Sequence, residues 1–240
     1  MKKILLYLII GSFVFNSCKS NSDDNSSVKI PIETQNSYDD AAIQKYLLDN
    51  YFDAQGKVVA YSATDPADDN IPSLNTYSPT LLPSGVVIVK IPTAQPTPGK
   101  TIGDTDVLRL TSISTSVIAY KNDVGVKFGL PKSFRNTINT GVPEVDPSYF
   151  YVKNSKLNGK PRSFYEIEGL QEGIKYLKSC EIPDITNYNM QGVILVPSRA
   201  AFARDSNALD LNETTFKVND ASFIFNVQVY KTDTRSASEL

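Results

Sequence analysis

The chain has 240 residues, 41 % of them hydrophobic and 21 % charged, enough for one sizeable core with short extras. With 24 Lys and Arg against 26 Asp and Glu the formal net charge is −2, so there is no basic field to gather nucleic acid. The absence of histidine and the presence of only two cysteines exclude Ser–His and Cys–His catalysis and the usual zinc sites, leaving carboxylate chemistry, catalysis by shape, or binding.

Lys2 and Lys3 precede an apolar run that starts at Ile4, is unbroken to Ile10 and resumes through Phe13, Val14 and Phe15. A basic start followed by a short apolar stretch predicts a signal peptide over residues 1–17. The run is too short for a membrane-spanning helix, which needs about 20 apolar residues. Phe15-Asn16-Ser17-Cys18 resembles the lipobox of bacterial lipoproteins, which implies lipid attachment at Cys18. Loss of Lys2 and Lys3 with the signal takes the formal charge from −2 to −4. Cys180 is then the one other thiol, so no intramolecular disulfide forms, and a buried structural role is expected for it. Residues 18–36 are polar and rich in Ser and Asn, and read as a lipidated tether. Its Asp23-Asp24 pair either keeps the tether soluble or resembles the acidic export tags of Bacteroidetes surface lipoproteins.

Residues 37–82 are expected to hold an N-terminal helix and a linker. Ser37-Tyr38-Asp39-Asp40 reads as a helix start close to a capping box, Ala42, Ile43, Tyr46 and Leu47 recur with helical spacing, and Gly56 can close the helix. Four prolines between 62 and 83 predict a loop, and its Asp65, Asp68 and Asp69 read as solvated rather than as a calcium loop. Strands are predicted at Val86–Ile91, Val107–Ser112, Val117–Tyr120, Met190–Val196 and Ala221–Val229, and a short helix at Glu172–Lys178. Scattered apolar residues from about 129 to 162 predict an insertion in which Tyr149-Phe150-Tyr151 forms a strand or, less favoured, a patch for a partner. The class is α+β with an antiparallel sheet.

The order of several segments carries a resemblance. Ser84-Gly85-Val86 enters a strand and Gly103-Asp104-Thr105-Asp106-Val107 enters another. Then come Ile167-Glu168-Gly169-Leu170-Gln171-Glu172-Gly173, Val196-Pro197-Ser198, Ala201-Phe202 and the closing Phe223-Ile224-Phe225-Asn226-Val227. This succession resembles the FKBP family of peptidyl-prolyl cis-trans isomerases, in a lipoprotein form like those of the Bacteroidetes. The resemblance implies an antiparallel sheet wrapped around a short helix in residues 83–232, an insertion at about 129–162 and a tail at 233–240.

It also implies a prolyl pocket. Leu170 stands where the family has a Trp floor, Phe202 where it has a Tyr hydroxyl, and Leu110 where it has an early-strand Tyr. Phe225 keeps the pocket Phe, Phe128 matches the Phe of a D-G-x-x-F-D segment, and Ile167 supplies a backbone N–H to a substrate carbonyl. Rotation about an X–Pro bond faces a barrier of about 20 kcal/mol, and a dry apolar pocket favours the twisted amide over the planar one. Such a reaction needs neither cofactor nor metal. Two functions follow: an envelope isomerase or chaperone acting on proline-containing polypeptides, with weakened activity, or a catalytically degenerate binding subunit of an outer-membrane secretion or assembly complex. Either is lipid-anchored in the outer membrane, facing the periplasm or the cell surface, with no nucleic-acid partner.

Overall fold

The computed structural model describes residues 30–138, 140–182, 188–205, 208–211 and 214–239, the pieces 208–211 and 214–217 as backbone only. The signal peptide, Cys18 and the tether as far as residue 29 lie outside the described residues. None of the described helices is long and apolar enough to cross a membrane.

Helix α1 spans Ile32–Asp49 and so begins inside the expected tether. It starts after Pro31, whose carbonyl accepts from the Gln35 N–H at 3.0 Å, with no side-chain cap. Ser37 lies inside the helix and is not its cap. Asp40 is not part of a capping box; it pairs with Arg199 at 2.6 Å. The helix ends at Asn50, whose Nδ2 donates to the Tyr46 carbonyl at 2.8 Å and satisfies one of the open C-terminal acceptors. Gly56 does not close α1. It turns the hairpin between β1 (Asn50–Phe52) and β2 (Val58–Ala60) at φ 76°, a backbone region open to glycine.

The remaining strands are β3 (Thr80–Leu81), β4 (Val87–Lys90), β5 (Lys100–Thr101), β6 (Val107–Asn122), β7 (Gly125–Asn136), β8 (Glu144–Val145), β9 (Lys178–Ser179), β10 (Gly192–Val196), β11 (Ala208–Leu211), β12 (Thr214–Lys217) and β13 (Ala221–Asp233). Helix α2 (Glu168–Ile174) falls between β8 and β9. The main sheet has the order β3-β4-β10-β13-β6-β7, with β8 also paired to β6, and its pairings are antiparallel. The two strands expected at 107–112 and 117–120 are one strand of 16 residues. The first part of the expected insertion, up to Asn136, belongs to β7 and pairs with β6.

Each face of this sheet has its own core. The inner face presents Ile88, Leu108, Leu110, Ile194, Val196, Phe223, Phe225, Val227 and Val229, and α2 packs on it with Leu170 and Ile174. The outer face presents Val87, Val89, Val117, Val193, Leu195 and Ile224, covered by Ile43 and Leu47 of α1 and by Phe52 and Leu74. Helix α1 and the segment after it thus share a core with the sheet through Ile43, Leu47, Phe52 and Leu74. The close approach of α2 depends on Gly169: a Cβ there would meet Val196 Cγ1 at 2.5 Å and the Ala200 carbonyl at 2.9 Å. The helix lies four residues earlier than the hydrophobic spacing suggested, because the two glycines of Gly169-x-x-x-Gly173 mark its contact face and not its start.

Three smaller expectations also change. Tyr149-Phe150-Tyr151 is a turn, in which the Phe150 and Tyr151 N–H groups both donate to the Pro147 carbonyl at 2.8 and 3.0 Å. Cys180 is half-buried rather than enclosed. The expected tail is partly core: Arg235 is 4 % exposed.

Candidate functional site

Five of the six pocket residues read from the sequence come together. Leu110 arrives on β6, Ile167 and Leu170 on the start of α2, Phe202 on the turn after β10, and Phe225 on β13. All belong to the inner core and none is more than 3 % exposed. Phe202 meets Phe223 edge to face at 6.0 Å, and Phe223 stacks beside Phe225 at 6.1 Å.

Phe128 does not join them. It pairs across from Ala119 and faces α1, where its ring meets Tyr46 at 6.1 Å. The ring that stands against Phe225 from β7 is Phe134, at 6.0 Å. Pairing runs from Ser114–Arg135 to Thr115–Ser133, so Phe134 is an extra residue at a bulge, and the bulge turns it to the inner face. Phe128 was matched through the D-G-x-x-F-D resemblance, and no local pattern in the sequence announces the bulge that turns Phe134 inward.

The space between these side chains is filled by the chain itself. Tyr149, 1 % exposed, stacks on Phe225 with ring centroids 5.6 Å apart and planes 23° apart, and meets Phe134 edge to face at 5.4 Å. Its backbone carbonyl accepts the Ile167 N–H at 2.8 Å. Its hydroxyl lies 3.4 Å from Ser112 Oγ, which in turn accepts from Ser114 Oγ at 3.1 Å. Burial pushes the Tyr149 phenol up to about 12, with the nearby Glu144 charge acting the same way. The phenol therefore stays neutral and serves as a filler whose hydroxyl is met by Ser112, Ser114 and Arg135. Tyr149 and Phe134 are the site residues that sequence reasoning missed; the aromatic triplet around Tyr149 was a visible signal, but nothing in its spacing says that it points inward.

The segment 146–151, here called the strap, is fixed at both ends. At its start, Asp146 Oδ1 accepts the Leu108 N–H at 3.1 Å, and the Asp146 N–H donates to the Leu108 carbonyl at 2.9 Å. Beyond its end, Glu166 accepts from the Val152 N–H at 2.7 Å, from Arg162 at 3.0 Å and from Gln171 at 3.0 Å. Gln171 also donates to the Phe150 carbonyl at 2.7 Å. Glu166 is thus a structural anchor, and Glu172 accepts from the Ser84 hydroxyl at 2.5 Å.

The turn that carries Phe202 is tied to α1. Ser198 donates from N–H and Oγ to Asp39 Oδ2 at 2.8 and 2.5 Å, and Gln35 Nε2 donates to Asp39 Oδ1 at 3.0 Å. Asp39 is 0 % exposed, and burial raises its carboxyl above the ordinary value against the opposing pull of the Ser198 and Gln35 hydrogen bonds. In the proline-rich loop, Asp68 is buried with Oδ2 accepting the Ser62 N–H at 2.8 Å and Oδ1 without a partner, so this acid is not solvated as expected. Among the described residues no group of three Cys, Asp or Glu could hold a metal ion.

Similar solved structures include a peptidyl-prolyl cis-trans isomerase from Pseudomonas syringae, at 10 % identity and a TM-score of 0.41, covering 86 % of this chain and 98 % of that one. FkpA from Escherichia coli is 14 % identical with a TM-score of 0.38, covering 85 % of this chain and 63 % of that one. A multi-domain immunophilin from Arabidopsis thaliana is 12 % identical with a TM-score of 0.39, covering 66 % of this chain and 46 % of that one. This chain therefore spans less than two thirds of the second and third. No family profile and no curated protein matches the sequence. At TM-scores below 0.5 these similarities establish no family membership.

Proposed function

We propose that this chain is an isomerase-like domain of the FKBP type whose prolyl site is occupied by its own Tyr149, and that it works as a lipid-anchored binding subunit of an outer-membrane complex. One observation carries the reading. The Ile167 N–H, the donor that the family resemblance assigns to the substrate carbonyl, is bonded to the Tyr149 carbonyl, and the Tyr149 ring lies on Phe225 where a prolyl ring would lie.

Two side chains support it. Leu170 offers no indole platform and Phe202 offers no hydroxyl, so a proline-containing chain would meet an apolar wall with its polar fixing points gone. Each missing hydrogen bond weakens such a complex by about 0.5–1.5 kcal/mol. A substrate would also have to displace a fully buried aromatic residue, whose burial stabilises by about 1.5–3 kcal/mol.

The test is a prolyl-isomerase assay on the full chain in detergent, paired with affinity isolation from solubilised membranes. The expected result is a cis/trans relaxation rate equal to the uncatalysed one and recovery of a stoichiometric membrane protein. Acceleration by the wild-type chain overturns the closed-site reading, and a clean monomer overturns the subunit role.

A further inference from the structure

Besides the bonds already described, the strap that fills the inner site is gripped by one side chain from just beyond the last strand. Arg235 follows β13, and its side chain has no exposed surface. Its guanidinium makes a two-pronged contact with Asp146, Nη1 to Oδ2 at 2.7 Å and Nη2 to Oδ1 at 3.0 Å. Nη2 also donates to the Asp106 carbonyl at 3.1 Å, and Nε to the Thr105 carbonyl at 3.2 Å. The guanidinium carbon lies over the Tyr151 ring, 3.3 Å from its centroid.

The arrangement joins three regions far apart in sequence. One end of the fork grips the strand entry at Thr105 and Asp106, and the other grips the first residue of the strap. Tyr151, which the cation covers, is the last residue of the strap, and its hydroxyl donates to the Glu239 carbonyl. Arg162 covers Tyr151 as well, with its guanidinium carbon 4.4 Å from the centroid. Only Pro147 and Ser148 separate Asp146 from Tyr149, and the Pro147 carbonyl, accepting from the Phe150 and Tyr151 N–H groups, closes the turn that carries Tyr149. Displacing Asp146 therefore displaces the Tyr149 ring and carbonyl together.

A buried arginine is tolerated only when its donors are met, and here all three nitrogens are. Only a planar fork reaches two carboxylate oxygens and two carbonyls while stacking on a ring. A lysine of the same charge could not. The energy of the contact is also lost as a unit: without the guanidinium, the Asp146 carboxylate is left with one backbone donor in a site that is 9 % exposed.

We infer that Arg235 is a latch on the inner site: it fastens the strap 146–151 with Tyr149 in place, and its release opens the site to a proline-containing chain. The inference rests on the reading that this core is a prolyl site, and it adds the residue that controls access. Arg235 acts through the strap, as a positioning residue, and touches no substrate.

Hydrogen exchange on the full chain in detergent tests the latch. In Arg235→Ala, amides of the strap and of Ile167 are expected to exchange at least ten times faster. Those of β10 and of residues 221–229 of β13 should stay within about twofold. Asp146→Asn, which keeps the volume and loses the charge, should give the same pattern at smaller amplitude. Arg235→Lys should follow Arg235→Ala, because the fork and not the charge is what matters. Unchanged exchange at Ile167, or a uniform rise over the whole sheet in both Arg235→Ala and Asp146→Asn, overturns the latch. A short Leu-Pro peptide is then titrated against the same variants. Binding to Arg235→Ala at least tenfold tighter than to wild type supports an opened prolyl site. Selective opening with no peptide binding leaves the latch standing and overturns the prolyl reading instead.

Discussion

The two faces of the sheet solve the same packing problem in opposite ways. The inner face is aromatic and full: Phe134, Tyr149, Phe223 and Phe225 interlock, and none is more than 9 % exposed. The outer face is mainly aliphatic and incompletely covered. A single helix crosses it, and beside that helix lies an apolar cavity of about 320 Å³ lined by Tyr46, Val58, Val117, Phe128, Pro131 and Ile224. The inner core is filled around Phe225, with a pocket of about 280 Å³ only at its rim beside Phe164, Glu166 and Phe202, whereas the outer cavity holds Phe128 alone of the six candidate residues. Resemblance of residue types along a sequence therefore does not establish an accessible site.

The largest effect that could break this contrast is at Phe225. Phe225→Ala removes a ring packed on three others and is expected to cost about 3–5 kcal/mol in urea unfolding. Phe128→Ala, on the cavity side, should cost less than about 1.5 kcal/mol. Equal losses at both positions would erase the distinction between a full and an open face.

Tyr149→Ala comes next, at about 3 kcal/mol, because the cavity it leaves is apolar and enclosed. Its sharper readout is binding: a proline-containing peptide that does not perturb the wild-type spectrum should shift the resonances of Phe225 and Ile167 in the variant. Absence of any shift would mean that removing the filler does not restore a site.

Asp39 tests how the two faces are joined, since it links α1 on the outer side to the Phe202 turn. Asp39→Asn should cost about 1–2 kcal/mol at pH 7, because one amide hydrogen would face the N–H of Gln35 or Ser198. The pH dependence has a definite sign. The folded carboxyl holds its proton more tightly than the unfolded one, so its contribution to stability is greatest below the ordinary value of 3.8 and falls as pH rises from there through the raised folded value. The stability difference between wild type and Asp39→Asn should therefore shrink with rising pH across that window. A difference that does not change with pH would show that Asp39 titrates as an exposed acid.

The smallest effect is expected at the tip of the β6–β7 hairpin, where Val124 is 91 % exposed. Val124→Ser should leave stability within about 0.5 kcal/mol of wild type.

Much of the fold was legible before any coordinates. The apolar runs at Val86–Ile91, Met190–Val196 and Ala221–Val229 all became sheet, since alternating or continuous burial of β-branched side chains is a local property of the chain. Leu110, Ile167, Leu170, Phe202 and Phe225, expected together from the order of short motifs, share one core. Helix boundaries were less legible. Asp40 looked like a cap because its true partner, Arg199, is 159 residues away. The role of Glu166 was hidden for a similar reason, since its partners Val152, Arg162 and Gln171 meet only when the strap folds back.

The sequence by itself determined the chemical inventory, with no histidine and no tryptophan, and an α+β antiparallel class. Composition and local periodicity are enough for that, because they depend on single side chains and near neighbours. Only the tertiary structure decided that the inner site is closed. Closure depends on a β-bulge that turns Phe134 inward, a left-handed turn at Asp146 with φ 45°, and an arginine at the far end of the chain that reaches back 89 residues to hold it. Each of these is a contact between distant segments, and the free energy that fixes it comes from burial that no local stretch of sequence contains.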